Sequence, residues 1–165
     1  MRGAVLALAL LAAAPAVAAD LVESTPKPVA ITVQDRDGRD TTPAALGGKL
    51  TLVHFWASWC GTCRTEFPAI DALQKDMRAE GLQVAAVSLD RLGWPAIDRT
   101  ITALEIREVT LLHDRNRAAA AALALPGLPT TVVLDAEGRE VGRIIGAGDW
   151  ADERLRAKLR ALATK

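Results

Sequence analysis

Sulfur and imidazole are scarce in this chain: two cysteines, two methionines and two histidines occur in 165 residues, and tyrosine is absent. A single cysteine pair excludes the multi-bridge framework of small secreted scaffolds, and so few soft ligands argue against a dedicated metal protein. Charge of one sign is missing as well, because 20 basic residues balance 20 acidic ones. Without a basic stripe, nucleic acid and anionic membrane surfaces are poor partners. Internal repeats are absent, and low complexity is confined to the N-terminal segment and the Ala118–Ala122 run.

The start of the chain is apolar in a particular way. Arg2 is a minimal positive region, Ala4 to Leu11 is uniformly apolar, Pro15 breaks the run, and Ala16-Val17-Ala18-Ala19 offers small residues for cleavage. Residues 1–19 therefore read as an export signal cleaved near Ala19, with an uncleaved N-terminal membrane anchor as the alternative. The stretch is short beside the ~20 residues of a spanning helix. No cysteine lies near it, which excludes a lipid-modified terminus. The expected compartment is the periplasm, and residues 20–165 are expected to form one domain large enough to hold a core without disulfide staples.

That expectation sharpens the meaning of the two cysteines. Cys60 and Cys63 stand in Trp59-Cys60-Gly61-Thr62-Cys63, behind an apolar run and at the start of a helical pattern. A bridge closing so short a loop restrains little unfolded-chain entropy, so a stabilising role is a weak reading. A dithiol that cycles with its own disulfide is the stronger one. Cys60 at a helix N-terminus gains thiolate character from the unpaired N–H groups there and becomes the attacking sulfur; Cys63, one turn on, resolves the mixed disulfide.

The order of elements follows from periodicity and punctuation. Val29 to Val33 alternates as a strand and Asp35 to Gly38 is a turn, giving an N-terminal β-hairpin. Thr42-Pro43 caps a short helical turn ended by Gly47-Gly48. Leu50 to Trp56 is a β-rich run with no clean alternation, as in a strand covered on both faces. Phe67, Ile70, Leu73 and Met77 recur at helical spacing, with a kink expected at Pro68 and an end at Gly81. Leu82 to Leu89 reads as strand, Pro95 to Leu104 as helix, Val109 to Leu112 as strand and Asn116 to Leu125 as helix. Thr130 to Leu134 and Arg139 to Ile145 flank a turn at Asp135 to Gly138, and Asp149 is placed to cap a last helix with Ala151, Leu155, Leu159 and Leu162 on its apolar face. Alternating strands and helices with a terminal hairpin predict an α/β sandwich around a mixed sheet.

Strand, Trp-Cys-x-x-Cys, helix and then Gly127-Leu128-Pro129-Thr130 before a strand together resemble the thioredoxin superfamily. Cys63-Arg64-Thr65-Glu66-Phe67-Pro68, the inserted helix–strand element from Pro95 to Leu112, and the segments Val133 to Arg139 and Gly146 to Trp150 are similar to its exported TlpA/ResA/DsbE branch. The resemblance covers about residues 25 to 162. It implies a thioredoxin-like sandwich and a thiol–disulfide oxidoreductase without cofactor or resident metal. Its substrates would be disulfide-containing exported proteins, such as apocytochrome c or copper proteins of cytochrome oxidase assembly. Its electrons would come from a membrane thiol protein, and the domain would act as a monomer. The pair Gly61-Thr62 departs from the more usual Gly-Pro or Pro-Pro, and His54 stands where cytoplasmic thioredoxins carry a buried aspartate, so no proton-transfer role carries over to it.

Individual residues carry different weights. Periodicity alone reads Glu66 as a solvated helix acid; the resemblance makes it the proton-transfer partner of the dithiol, three residues from Cys63 on one helix face. The resemblance likewise makes Pro129 a cis-proline facing the dithiol, shielding it from metal and aiming the Leu128 backbone at an extended substrate. Trp59 reads as an apolar rim for substrate, Trp56 as core, and Trp94 and Trp150 as packing or surface features. His54 reads as a core histidine with a satisfied hydrogen bond, and Arg64 as a solvated charge. Three alternatives stand beside the reductase: a disulfide oxidase of the same fold, a Cu(I)-binding chaperone using both thiolates, and, more remotely, a zinc site completed by His54 or His113.

Overall fold

The protein is described by a computed structural model covering residues 18–164. Of the segment read as an export signal, all but Ala18 and Ala19 lies outside the described residues. Among the described residues no helix is long and apolar enough to cross a membrane.

Among the described residues, eight strands form one sheet. In chain order they are β1 (Val22–Pro28), β2 (Val33–Gln34), β3 (Asp40–Thr41), β4 (Leu50–Trp56), β5 (Leu82–Ser88), β6 (Thr110–His113), β7 (Thr130–Asp135) and β8 (Arg139–Ile145). Four α-helices accompany them: α1 (Gly61–Met77), α2 (Trp94–Ala103), α3 (Ala118–Ala122) and α4 (Glu153–Leu162). The sheet order is β1-β8-β7-β4-β5-β6-β2-β3. β4, β5 and β6 run parallel, whereas β7 runs antiparallel to both of its neighbours, β4 and β8. This is the mixed sheet that the order of elements predicts.

All seven residues of β4 are buried. Side chains alternate across a strand, so Leu52 and Trp56 join one core with Phe67 and Ile70 of α1 and Leu155 and Leu159 of α4. Val53 and Phe55 join a second core with Ala119 and Ala120 of α3. His54 shares the side of Leu52 and Trp56, and therefore faces α1. A carboxylate fastens the inserted element to that helix: Asp71 accepts the backbone N–H groups of Arg107, Glu108 and Val109 at 2.8–3.2 Å, fixing the approach to β6.

Several expectations need correction. The N-terminal hairpin exists but is short, with β2 and β3 contributing two residues each around the Asp35–Gly38 turn; Val29 to Thr32 is not strand. A strand that periodicity missed, β1, pairs with β8 although all seven of its residues are exposed. With Pro26 and Pro28 it can serve only at an edge, and its Lys27 reaches the buried carboxylate of Glu140, which also pairs with Arg143. The alanine-rich helix is reduced to Ala118–Ala122 because Arg117 (φ 56°) and Ala124 (φ 49°) are left-handed and Pro126 follows. The last helix is capped by Asp152, whose side chain accepts from the Arg154 N–H at 2.8 Å, not by Asp149. Asp149 instead closes the turn before it, and Ala151 is exposed, off the buried face of Leu155, Leu159 and Leu162. α1 runs as one helix through Pro68.

Candidate active site

The parallel strands β4, β5 and β6 all finish at one edge of the sheet, and β7 begins there, since Phe55 pairs with Thr130 and Thr130 with Ile145. The loops after each strand therefore converge at that edge: Trp59–Cys60 after β4, Asp90–Arg91 after β5, Asp114–Arg117 after β6, Pro129 before β7 and Gly146–Trp150 after β8. The carboxyl ends of parallel strands are where open α/β sheets bind ligands.

Cys60 is the N-cap of α1 and is joined to Cys63 by a disulfide. Its Sγ accepts the Cys63 backbone N–H at 3.2 Å, a donor that would stabilise a thiolate in the reduced pair. The two sulfurs differ in access, since Cys60 is 8% exposed and Cys63 is sealed. The loop carrying Trp59 and Cys60 is held by Asp90, a residue the sequence reading did not single out. Its carboxylate accepts from the Ser58 N–H (2.9 Å), the Ser58 hydroxyl (2.5 Å) and the Ser88 hydroxyl (2.8 Å). The available signal was an acid just past the end of the strand paired to the one that delivers the cysteines.

One turn beyond Cys63, Glu66 is buried, not solvated. Its Oε2 accepts from the Trp150 indole N–H (2.7 Å) and the Gly148 backbone N–H (2.9 Å). Its Oε1 has no hydrogen-bond partner and lies 3.8 Å from Nε2 of His54, which also has none. Burial pushes the Glu66 carboxyl up to about 7, against the two donated hydrogen bonds, which favour the charged form. His54, fully buried, is pushed down to about 3 by the same loss of solvent. The pair is thus neutral on the histidine side and poised on the acid side. Only half of the expected satisfied histidine is found: Nδ1 meets the Thr131 hydroxyl at 2.9 Å, and Nε2 is left facing the acid.

Trp150, read from sequence only as packing or surface, is 1% exposed and is the principal donor to Glu66. A Cβ at Gly148 would approach the Trp150 ring at 3.1 Å, so a larger residue there requires the ring to give by a few tenths of an ångström.

On the outer side of the disulfide, Trp59, Cys60 and Leu128 line one apolar groove of about 510 Å³. Trp59 is 62% exposed and Leu128 half-buried. Pro129 is buried at the foot of β7, and the Leu128–Pro129 peptide is cis, in the form the resemblance implied. Among the described residues no three His, Cys, Asp or Glu side chains gather as metal ligands. His113 is instead engaged by the Asp90 carbonyl at 2.9 Å.

Comparison with known proteins matches this arrangement. The Redoxin family model matches residues 13–159. The thiol:disulfide interchange protein DsbE of Pseudomonas fluorescens biotype C is 34% identical over 125 residues, which is 73% of this chain and 66% of that protein. The thiol-disulfide oxidoreductase ResA of Bacillus subtilis (strain 168) is 26% identical over 114 residues, 69% of this chain and 63% of that one. The matched region thus spans just under two thirds of the length of these relatives. Among solved structures, a Chlorobium tepidum protein provisionally assigned as a DsbE has a TM-score of 0.71 at 24% identity, covering 89% of this chain and 98% of its own, which establishes the thioredoxin-like fold. With its mixed sheet, its cysteine pair at the start of α1 and a family match over most of its length, the chain belongs to the Redoxin family.

Proposed function

We propose that this protein is a periplasmic thiol–disulfide oxidoreductase that reduces disulfides in exported proteins, of the kind handled in apocytochrome c or cytochrome oxidase copper-protein maturation. The observation that carries the reading is the position of the pair: Cys60 at a helix N-terminus with 8% of its surface still exposed, a sealed Cys63 behind it, and a buried acid one turn further. The names of the DsbE and ResA relatives, a thiol:disulfide interchange protein and a thiol-disulfide oxidoreductase, support the exchange chemistry.

In the reduced protein the Cys60 thiolate attacks one sulfur of the substrate disulfide. That bond breaks, the other substrate sulfur leaves as a thiolate and takes a proton, and a Cys60–substrate disulfide forms. Cys63 then gives its proton to the Glu66 carboxylate and attacks Cys60 Sγ. The second substrate sulfur leaves and is protonated, and the Cys60–Cys63 disulfide seen here is regenerated. Two electrons have passed from the pair to the substrate. Glu66 suits the proton step because burial holds its carboxyl near neutrality and Oε1 is uncommitted. His54, kept neutral, adds no competing positive charge. Leu128 would offer its backbone to an extended substrate and Pro129 would close off the dithiol, with Trp59 as the apolar rim. A membrane thiol protein must return two electrons, because the periplasm supplies no reducing buffer. We assign the chain to that compartment through cleavage near Ala19.

The test uses the reduced protein and a disulfide-bonded peptide substrate. Cys60→Ser is expected to abolish reduction, and Cys63→Ser to accumulate a mixed disulfide through Cys60, read by mass. Normal turnover by Cys60→Ser overturns the mechanism.

A further inference from the structure

We infer that the groove beside Cys60 selects substrate segments carrying carboxylates within a few residues of the reacting cysteine. The inference rests on the oxidoreductase reading and names the substrate class of that site. Three observations support it. First, the groove is apolar except for one cation, Arg117, in its wall. Second, Arg117 is shared with an adjoining hollow whose lining is Arg91, Arg115, Asn116 and Arg117. All three arginines are exposed, and among the described residues none takes part in an ion pair or a side-chain hydrogen bond; Arg64, Arg99 and Arg107 are equally unpaired, but only Arg91, Arg115 and Arg117 are gathered around one hollow beside the groove. Third, among the described residues three non-glycine residues adopt positive φ, and two of them, Arg117 and Ala124, line this groove. Left-handed backbone at a bulky residue persists where the surrounding structure over-determines it, and such positions gather at binding sites.

The acids next to the cluster in sequence offset part of its charge but do not engage it. Asp90 and Asp114 are buried and turn their carboxylates inward, to Ser58 and Ser88 in one case and to the Ala120 N–H in the other, so the three guanidinium groups stay free to meet a substrate. The surface a substrate meets is therefore cationic beside an apolar trough, in a chain with no overall basic excess. An extended segment places successive side chains on opposite sides. A small apolar side chain next to the half-cystine can enter the trough while neighbouring Asp or Glu residues reach the arginines. Such charge complementarity raises association rates by an order of magnitude or more and decays with salt.

The experiment follows single-turnover exchange between the reduced protein and disulfide peptides that differ only in Glu or Lys flanks. A small uncharged disulfide and free dithiothreitol serve as references. Thiolates repel anionic disulfides, so dithiothreitol sets the intrinsic ratio below one. The protein is expected to favour the Glu-flanked peptide about tenfold at low ionic strength, falling to within about twofold at high salt. Arg91→Glu with Arg115→Glu should reverse the preference. The ratio is read within each variant, so a general loss of activity cancels, and the salt series on the unaltered protein needs no variant. Equal rates for both peptides at low salt, with normal reaction on the uncharged disulfide, overturn the inference alone. No reaction with any disulfide overturns the oxidoreductase reading with it.

Discussion

The two sides of the cysteine pair are built on opposite principles. Inward of Cys63 lie Glu66, His54 and Trp150, each at most 7% exposed, where one unpaired carboxylate oxygen and one unpaired imidazole nitrogen face each other. Outward of Cys60 lies an open groove edged by Trp59 and arginines that no partner neutralises. Inside, loss of solvent moves protonation equilibria by more than two pH units. Outside, solvent screens every charge, and what remains is shape and sign. On the proposed reading, proton handling belongs to the core and substrate choice to the surface, so mutations on the two sides should register in different measurements.

Asp90 is where the sides meet, and breaking it should give the largest effect. Asp90→Ala removes the acceptor of three hydrogen bonds and strands the Ser58 N–H beneath the Trp59–Cys60 loop. An unsatisfied buried group costs about 1–3 kcal/mol and a bond to a carboxylate about as much, so a loss of about 3 kcal/mol is expected, or roughly 6–12 °C in Tm for a domain of this size. Thermal unfolding followed by circular dichroism measures it. Disulfide exchange should slow in the surviving fold, and an unchanged rate beside a lowered Tm would show that the loop holds its place without Asp90.

Glu66→Gln tests the inner side through pH, measured on the oxidised protein. Glu66 is raised from its ordinary 4.5 to about 7, so its contribution is fully present below pH 4.5 and is lost as pH rises through 7. His54 is lowered from 6.5 to about 3, so its contribution is present above pH 6.5 and is lost as pH falls through 3. Between 4.5 and 6.5 the two oppose, and these residues together leave wild-type stability nearly flat. The amide of Gln keeps an acceptor for Trp150 and Gly148 but removes the Glu66 titration. Stability of the variant should then rise by about 2–3 kcal/mol from pH 4.5 to 6.5, at ~1.4 kcal/mol per unit. Urea unfolding across that range is the measurement. Parallel curves for variant and wild type would mean that burial does not displace the Glu66 proton.

The same division explains what the sequence disclosed. β4, β5, β7 and β8 were legible because they are buried or alternate, and their residues report the burial directly. β1 was not, since an exposed Val-Glu-Ser-Thr-Pro-Lys-Pro edge pairs through its backbone and leaves no hydrophobic period to read. Cys60 and Cys63 were legible as the only thiols. Glu66 could be placed three residues from Cys63, but its burial and its bond to Trp150, 84 residues away, depend on a contact that no local pattern encodes. Asp90 escaped for the same reason. It works 32 residues from Ser58, across a parallel strand pair.

The smallest stability effect should come from the outer side, and it sharpens the contrast most. Trp59 is 62% exposed and makes no hydrogen bond through its indole among the described residues. Trp59→Ala therefore removes little buried area, and global stability should stay within about 0.5 kcal/mol of wild type, as for surface substitutions generally. Yet Trp59 lines the apolar groove beside Cys60, and if it is the substrate rim proposed above, losing a partly exposed aromatic contact of ~1 kcal/mol should slow reaction with a peptide disulfide by about fivefold. Chemical denaturation and single-turnover exchange on the same preparation separate the two. A Tm drop comparable to that of Asp90→Ala would place Trp59 in the core and erase the distinction between the two sides. Unchanged stability with slowed exchange would show that this tryptophan serves the substrate, not the fold.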